Sequence, residues 1–179
     1  RSGAKSLRDK KILPISGKPM LAFIIEHALA SQYINRVIVS TDSEKYRQID
    51  LSFGAEVPFL RPTEYARDLS PDIEVFIHAL QWLELNEKYQ PEICVHLRPT
   101  CPIRKAADID RMIEILLSEP ELDSVRSISP ARETPYKMWR RLDDGRLSPV
   151  LNYLQEGYNR PRQDLPTVYL QNAAIDVLR

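Results

Sequence analysis

Five cations fall in the first eleven residues, Arg1, Lys5, Arg8, Lys10 and Lys11, with Gly3 near the start. A triphosphate carries several negative charges, and a loop of this kind can offer it backbone N–H groups together with lysine charge and bidentate arginine. The same run also fits a solvated basic tail, because charge runs usually lie on the surface. The single glycine is not a Walker loop, and Gly-x-Gly-x-x-Gly occurs nowhere in the chain. Three further segments gather polar groups. Leu97-Arg98-Pro99-Thr100-Cys101-Pro102-Ile103-Arg104 follows an apolar run and stiffens its backbone with two prolines, as either a ligand-facing loop or a rigid turn. Arg61-Pro62 through Asp68-Leu69-Ser70-Pro71-Asp72 either binds a ligand or caps the helix that starts near Asp72. Asn159-Arg160-Pro161-Arg162-Gln163-Asp164-Leu165-Pro166 sets two guanidinium groups beside amide and carboxylate, a combination suited to a substrate carboxylate. His27, His78 and His96 lie inside helix or strand patterns and read as structural. No nucleophile has a base at hand, and no His/Cys/carboxylate cluster has metal-ligand spacing.

The elements that must position these groups are legible from periodicity. Leu21, Ile24, Ile25, Ala28 and Leu29 recur at helical spacing behind Pro19, and Arg36-Val37-Ile38-Val39-Ser40 is a β-branched run expected to be a strand buried on both faces. Thr41 or Asp42 is expected to cap a helix ending near Phe53, with Gly54 as its stop. Ile73, Phe76, Ile77, Leu80 and Leu83 give the next helix, and Ile93 to Leu97 the next strand. Ile109, Met112, Ile113, Leu116 and Leu117 predict a third amphipathic helix, followed by a strand over Asp123–Ile128. Alternating helix and strand predict a parallel sheet between helix layers with right-handed crossovers, and in such a sheet ligands bind at the carboxyl ends of the strands. From Pro130 to Pro166 the texture changes to a hairpin around Asp143-Asp144-Gly145 and a basic loop. This stretch reads as an insertion in a single domain, before strand-like sequence returns over Val168–Gln171 and Ala174–Leu178.

Composition narrows the function. A chain of 179 residues with 43% hydrophobic and 28% charged residues is globular, and its longest apolar run, Met20 to Ile25, is too short to cross a bilayer. Lys+Arg 25 balances Asp+Glu 25, so no whole-molecule field draws it to nucleic acid or an acidic membrane, and anions must be caught locally. Cys94 and Cys101 form neither a metal motif nor a disulfide framework. With no apolar stretch at the start to serve as a signal peptide, this points to a soluble cytoplasmic protein.

Taken together, the segments resemble the CMP-sialic acid synthetases, the N-acylneuraminate cytidylyltransferases that activate nonulosonic acids. The opening is similar to that family's Arg-x-x-Ser-Lys-Gly-x-x-x-Lys-Asn loop. In the same order come Gly17-Lys18-Pro19, Val39-Ser40-Thr41-Asp42, Gly54-Ala55-Glu56-Val57-Pro58-Phe59-Leu60-Arg61-Pro62, Leu97-Arg98-Pro99-Thr100-Cys101-Pro102, and Arg162-Gln163-Asp164-Leu165-Pro166 followed by Asn172-Ala173-Ala174-Ile175. The resemblance implies a Rossmann-like three-layer α/β/α nucleotidyltransferase fold. It also implies an enzyme in which a sugar acid's anomeric hydroxyl attacks the α-phosphorus of CTP and pyrophosphate leaves with Mg²⁺ help. Arg1, Lys5 and Lys10 match its triphosphate-handling, catalytic cations, with Lys11 beside them. Arg61 and Asp72 match positions near the base, while Arg98, Pro99, Thr100, Asn159, Arg162 and Asn172 match positions around nucleotide and sugar.

The sequence also departs from that pattern. Ala4 stands for serine, Ser6 for glycine, Lys11 for asparagine, Arg98 for glutamine, Asp72 for a base-contacting serine and Asn159 for an acidic sugar contact. The Asp72 exchange suits cytosine, whose exocyclic amine donates. An apolar strand before the arginine loop is expected upstream, and the family's Mg²⁺-holding Asp-x-Asp pair beyond Arg179; no residue here is assigned to the metal. The hairpin Pro135–Leu151 resembles a dimerisation insertion, so a homodimer is expected, with Trp139 as an anchor. Two alternatives remain: a relative using another acidic sugar such as 3-deoxy-manno-octulosonate, whose loop aspartate is missing from Leu97–Pro102, and a catalytically silent nucleotide-binding paralogue.

Overall fold

Behind Pro19, Leu21, Ile24, Ile25 and Ala28 fall on the buried side of helix α1 (Met20–Leu29). The computed structural model describes Leu7 and residues 9–179. A two-residue ribbon, β1 (Pro14–Ile15) and β2 (Lys18–Pro19), leads into α1. Helix α2 (Glu44–Ser52) is capped by Ser43, whose Oγ accepts from the Tyr46 N–H at 3.4 Å, rather than by Thr41 or Asp42. Thr41 instead accepts from the Ser43 N–H at 3.3 Å, supporting the cap from one step back. Gly54 follows α2 with φ +90°, and a Cβ there would come 3.1 Å from the Leu29 side chain, so both backbone and packing call for glycine.

Helix α3 (Asp72–Glu87) begins with Asp72 and Glu74, acids at the end where a helix favours negative charge. Strand β3 (Cys94–His96), helix α4 (Ala106–Ser118) and strand β4 (Ser124–Pro130) follow. Next come a hairpin of β5 (Trp139–Arg141) and β6 (Leu147–Pro149), and finally β7 (Tyr169–Leu178). The sheet order is β3-β7-β4. β7 runs antiparallel to β3, with Val95 opposite Val177 and His96 opposite Asp176, so the sheet is not the wholly parallel one expected. The reason is local: only the hairpin and short 3₁₀ turns separate β4 from β7, and without a helical crossover the rule that yields parallel neighbours does not apply. The run at Val37–Thr41 makes single parallel bridges, Ile38 to Glu56 and Thr41 to Leu60, in place of the expected doubly buried strand.

The chain divides into two compact units. One takes it up to Arg126 together with Ala173–Arg179, and the other is Ser127–Asn172. In the first, one core cluster joins Ile109, Ile113 and Leu116 of α4 to Ile175 and Val177 of β7, and a second joins Leu21 and Ile25 of α1 to Tyr46 of α2 and Ala55. The end of α1 is tied to α4 because the buried Asp110 carboxylate accepts from the Ser31 hydroxyl and, at 3.1 Å, from the Gln32 N–H. In the second unit the hairpin closes as expected around Asp143-Asp144-Gly145, Trp139 packs at a tilt against Tyr158 with ring centres 4.8 Å apart, and Tyr136 and Tyr153 share a hydroxyl hydrogen bond of 2.6 Å. Among the described residues, no helix is long and apolar enough to cross a membrane.

Candidate functional site

Within the first unit a cavity of about 720 Å³ opens between the run Asn35–Thr41 and strand β3 with the loop behind it. Its lining mixes apolar side chains, among them Leu21, Val37, Val39 and Val95, with Lys11, Arg61, Asp72, Arg98, Pro99 and Thr100. The last six are all residues picked out by the sequence. They come from the 3₁₀ turn Lys10–Ile12, the loops that follow the Ala55–Leu60 stretch and β3, and the first turn of α3.

Each is held by a local device. Asp9, at φ 56°, accepts from the Tyr46 hydroxyl and from Lys45 Nζ, each at 3.1 Å, which moors the turn carrying Lys10 and Lys11 on α2. Burial and that bond to Asp9 push the Tyr46 hydroxyl up to about 12. Lys11 is half-buried and lines the cavity; Lys10 is exposed. Arg61 donates from Nε to Ser40 Oγ at 3.0 Å and from Nη2 to the Ser40 carbonyl. Burial lowers its pKa, partly offset by Asp42 and Asp72.

Asp72 does not cap α3. Its carboxylate turns to Arg98, which donates to Asp72 Oδ2 from Nη2 at 2.9 Å and from Nε at 3.3 Å. On its other side, Arg98 Nη1 lies 3.5 Å from Asp176 Oδ2, and Asp176 Oδ1 is 3.2 Å from Arg126 Nε. The loop backbone beneath is braced by Arg104, whose Nη2 donates to the Arg98 carbonyl at 2.9 Å and to the Cys101 carbonyl.

Asp176, Arg104 and Asp50 escaped the sequence reading. Asp176 is a strand residue, but an acid inside Ala173-Ala174-Ile175-Asp176-Val177-Leu178 signals a buried charge that needs a partner. Arg104 is 91% buried, so its guanidinium is a structural commitment rather than a surface charge. Asp50 lines the cavity from α2 at 1% exposure with both carboxylate oxygens unpartnered among the described residues. Burial pushes it up to about 7, against the pull of Lys11. His96, packed edge-on to Phe76 at 4.9 Å, and His78, against Phe59 at 4.8 Å, are aromatic packing groups whose pKa values burial lowers.

Asn159, Arg162 and Asn172 belong to the second unit. There Arg162 donates to the Arg132 carbonyl, Asn172 Oδ1 accepts from the Ser127 hydroxyl at 2.6 Å, and the Asn159 N–H donates to the Glu156 carbonyl at 2.9 Å. Arg1 and Lys5 lie outside the described residues. Among the described residues no group of three or more His, Cys, Asp or Glu is placed to hold a metal ion.

Comparison with known proteins identifies the family. Residues 1–139 match a family model described as Cytidylyltransferase. The chain is 34% identical over 175 residues to an N-acylneuraminate cytidylyltransferase of Escherichia coli O18:K1:H7, covering 98% of this chain and 39% of that protein. It is 31% identical over 179 residues to the post-translational flagellin modification protein B of Campylobacter coli, covering 100% of this chain and 74% of that protein. It thus spans under half the length of the first relative. The solved structure of a CMP:2-keto-3-deoxy-manno-octonic acid synthetase complexed with CTP superposes with a TM-score of 0.70 at 19% identity, over 99% of this chain and 70% of that one. That likeness shows the fold, the Rossmann-like α/β nucleotidyltransferase fold expected from the sequence.

Proposed function

Since the chain belongs to the cytidylyltransferase family, we propose that it carries the nucleotide site of an enzyme that activates a nonulosonic, sialic-type acid with CTP. The anomeric hydroxyl of the sugar acid attacks the α-phosphorus of CTP, the bond from that phosphorus to the bridging oxygen of the β-phosphate breaks, and pyrophosphate leaves. The products are the CMP-sugar and pyrophosphate. Such a transfer needs in-line positioning and compensation of charge on the phosphoryl oxygens more than covalent help from the protein.

The observation that carries the reading is the convergence of Lys11, Arg61, Asp72, Arg98 and Thr100 on one cavity. A volume of about 720 Å³ lies in the range of small-molecule sites. Lys11, with Arg1, Lys5 and Lys10 from the same stretch of sequence, is assigned to the triphosphate, and Arg61 and Asp72 to the base side. Arg98, Pro99 and Thr100, with Asn159, Arg162 and Asn172, are assigned to the nucleotide and the sugar acid. No step is assigned to Mg²⁺. The enzyme is proposed to be cytoplasmic, as its free cysteines Cys94 and Cys101 suit a reducing compartment. It is also proposed to be a homodimer joined through the hairpin, where Trp139, Leu147 and Met138 are exposed.

The test is pyrophosphate release by the full-length protein with CTP and a panel of nonulosonic acids. Turnover with at least one acid and none without sugar is expected. Turnover with neutral sugars alone, or tighter binding of ATP or GTP than CTP by titration calorimetry, refutes the assignment.

A further inference from the structure

Among the cations of the opening stretch stands a single acid, Asp9, at a position that the family pattern leaves open. It sits where a residue capping the 3₁₀ turn Lys10–Ile12 would sit, and its carbonyl accepts from the Ile12 N–H at 2.9 Å. Among the described residues, however, its side chain makes no capping hydrogen bond to that turn. The carboxylate turns instead to α2, where Oδ1 accepts from the Tyr46 hydroxyl and Oδ2 from Lys45 Nζ, each at 3.1 Å. The Asp9 backbone is left-handed, at φ 56°, a conformation that aspartate tolerates better than most residues. Behind the hydroxyl, Tyr46 is 3% exposed and packs with Leu21, Ile25 and Ala55.

Neither charge nor stability accounts for an acid here. A carboxylate beside a basic loop repels the phosphates that the loop is assigned to hold, so charge alone would favour its absence. The pair with Lys45 contributes little, because that lysine side chain is 63% exposed. A buried tyrosine hydroxyl requires a partner, whereas phenylalanine would fill the same core without one. What the two residues achieve together is geometric. A ring fixed in the core holds, through one charge-assisted hydrogen bond, the residue from which the turn with Lys10 and Lys11 departs. Lys11 lines the cavity from that turn, and Tyr46 lines it from α2.

We infer that Tyr46 and Asp9 are positioning residues that hold the Lys10–Lys11 turn in the conformation that receives a polyphosphate. The inference rests on the assignment of this basic stretch to the triphosphate given above and deepens it. With the turn held, a phosphate meets lysines already in place. Without the clasp, binding has to select that conformation from others, and affinity falls with the fraction of molecules that populate it.

The experiment titrates the full-length protein with inorganic tripolyphosphate and with CTP in a calorimeter, and measures pyrophosphate release with CTP and a nonulosonic acid. Tyr46→Phe removes one oxygen and no charge. It is expected to weaken both titrations about tenfold and to raise KM for CTP alike, with KM for the sugar acid and the melting temperature little changed. Asp9→Gly, which accommodates the left-handed backbone, is expected to weaken binding as well, although it takes a negative charge away from a polyanion site. Asp9→Asn keeps an oxygen acceptor for the hydroxyl and still tolerates the left-handed φ, so it is expected to stay within about threefold of wild type. Where Tyr46→Phe lowers stability, Asp9→Gly, altered at a partly exposed side chain, gives the same reading. Unchanged tripolyphosphate and CTP binding in Tyr46→Phe overturns the inference. So does tighter binding in Asp9→Gly, the result that charge alone predicts. Tripolyphosphate binding that Tyr46→Phe weakens, with no turnover on any acid, supports the inference while refuting the proposed reaction.

Discussion

Replacing Asp50 with asparagine should remove a pH dependence of folding that this one carboxyl imposes. Asp50 lies in the last turn of α2 at 1% exposure, beside Tyr46 and within the field of Lys11, and neither oxygen has a partner among the described residues. Burial pushes it up to about 7 in the folded chain, against about 3.9 in an unfolded one. Below pH 4 both states hold the proton and nothing is lost. Between pH 4 and 7 the unfolded chain releases it while the folded chain keeps it, so stability falls as pH rises and levels off near pH 8. A gap of about three pKa units corresponds to about 4 kcal/mol at the plateau. Other groups act differently. His27, His78 and His96, all lowered by burial, add stability as pH rises towards 6.5, and Glu56, lowered by Arg36, acts below its ordinary carboxylate range. Subtracting wild type from Asp50→Asn cancels them. Urea unfolding from pH 4.5 to 8.5 should therefore give a difference that starts at about 1 kcal/mol and grows to about 4 kcal/mol in favour of the variant. A difference that stays flat with pH would refute the claim that Asp50 is buried without a partner.

Three further variants have outcomes that follow from named contacts. Ile109→Ala, at a site with no exposure between α4 and β7, should cost about 2–5 kcal/mol in denaturant unfolding. Arg104→Met should leave the melting temperature unchanged or raised, since a buried guanidinium with Nε and Nη1 unpartnered is replaced by an apolar chain. The same variant should weaken CTP binding about tenfold in calorimetry, because the loop loses its two carbonyl tethers. Trp139→Ala should shift the full-length protein towards monomer in sedimentation, since it truncates an exposed aromatic on the hairpin.

Helices were legible because periodicity, proline and glycine speak locally. Pro19, Gly54 and the apolar stripes placed α1, α2, α3 and α4 to within a few residues, and Asp143-Asp144-Gly145 placed the hairpin. Strands were harder, because a strand exists only where a ladder partner lies beside it. Val37–Thr41 has strand composition, yet among the described residues it pairs by isolated bridges on one side and faces the cavity on the other. The direction of β7 could not be read either, since an alternation rule built on helical crossovers is silent about a strand that returns from a hairpin. For the site, residue types and order located Lys11, Arg61, Asp72 and the Arg98–Thr100 loop, which the fold does bring to one cavity. Asp176 and Arg104 were missed because their meaning depends on which distant residue each one faces.

The cavity's charges divide their work, and the division bears on how a triphosphate would be held. Arg98 is matched by Asp72 and Asp176, and Arg61 is bound to Ser40 and offset by Asp42 and Asp72, so both act chiefly by geometry. Lys11 faces a different neighbour. Asp50 lies within its field, and burial favours the neutral form of that carboxyl. While Asp50 stays protonated it makes no claim on the charge of Lys11; once Asp50 ionises, it draws on that lysine and repels a phosphate placed beside it. A polyanion placed beside Lys11 raises the cost of ionising Asp50 further, since a like charge nearby disfavours a carboxylate. Phosphate binding and the neutral state of Asp50 thus favour each other, which gives an unpartnered buried acid next to a basic loop a physical reason to be tolerated.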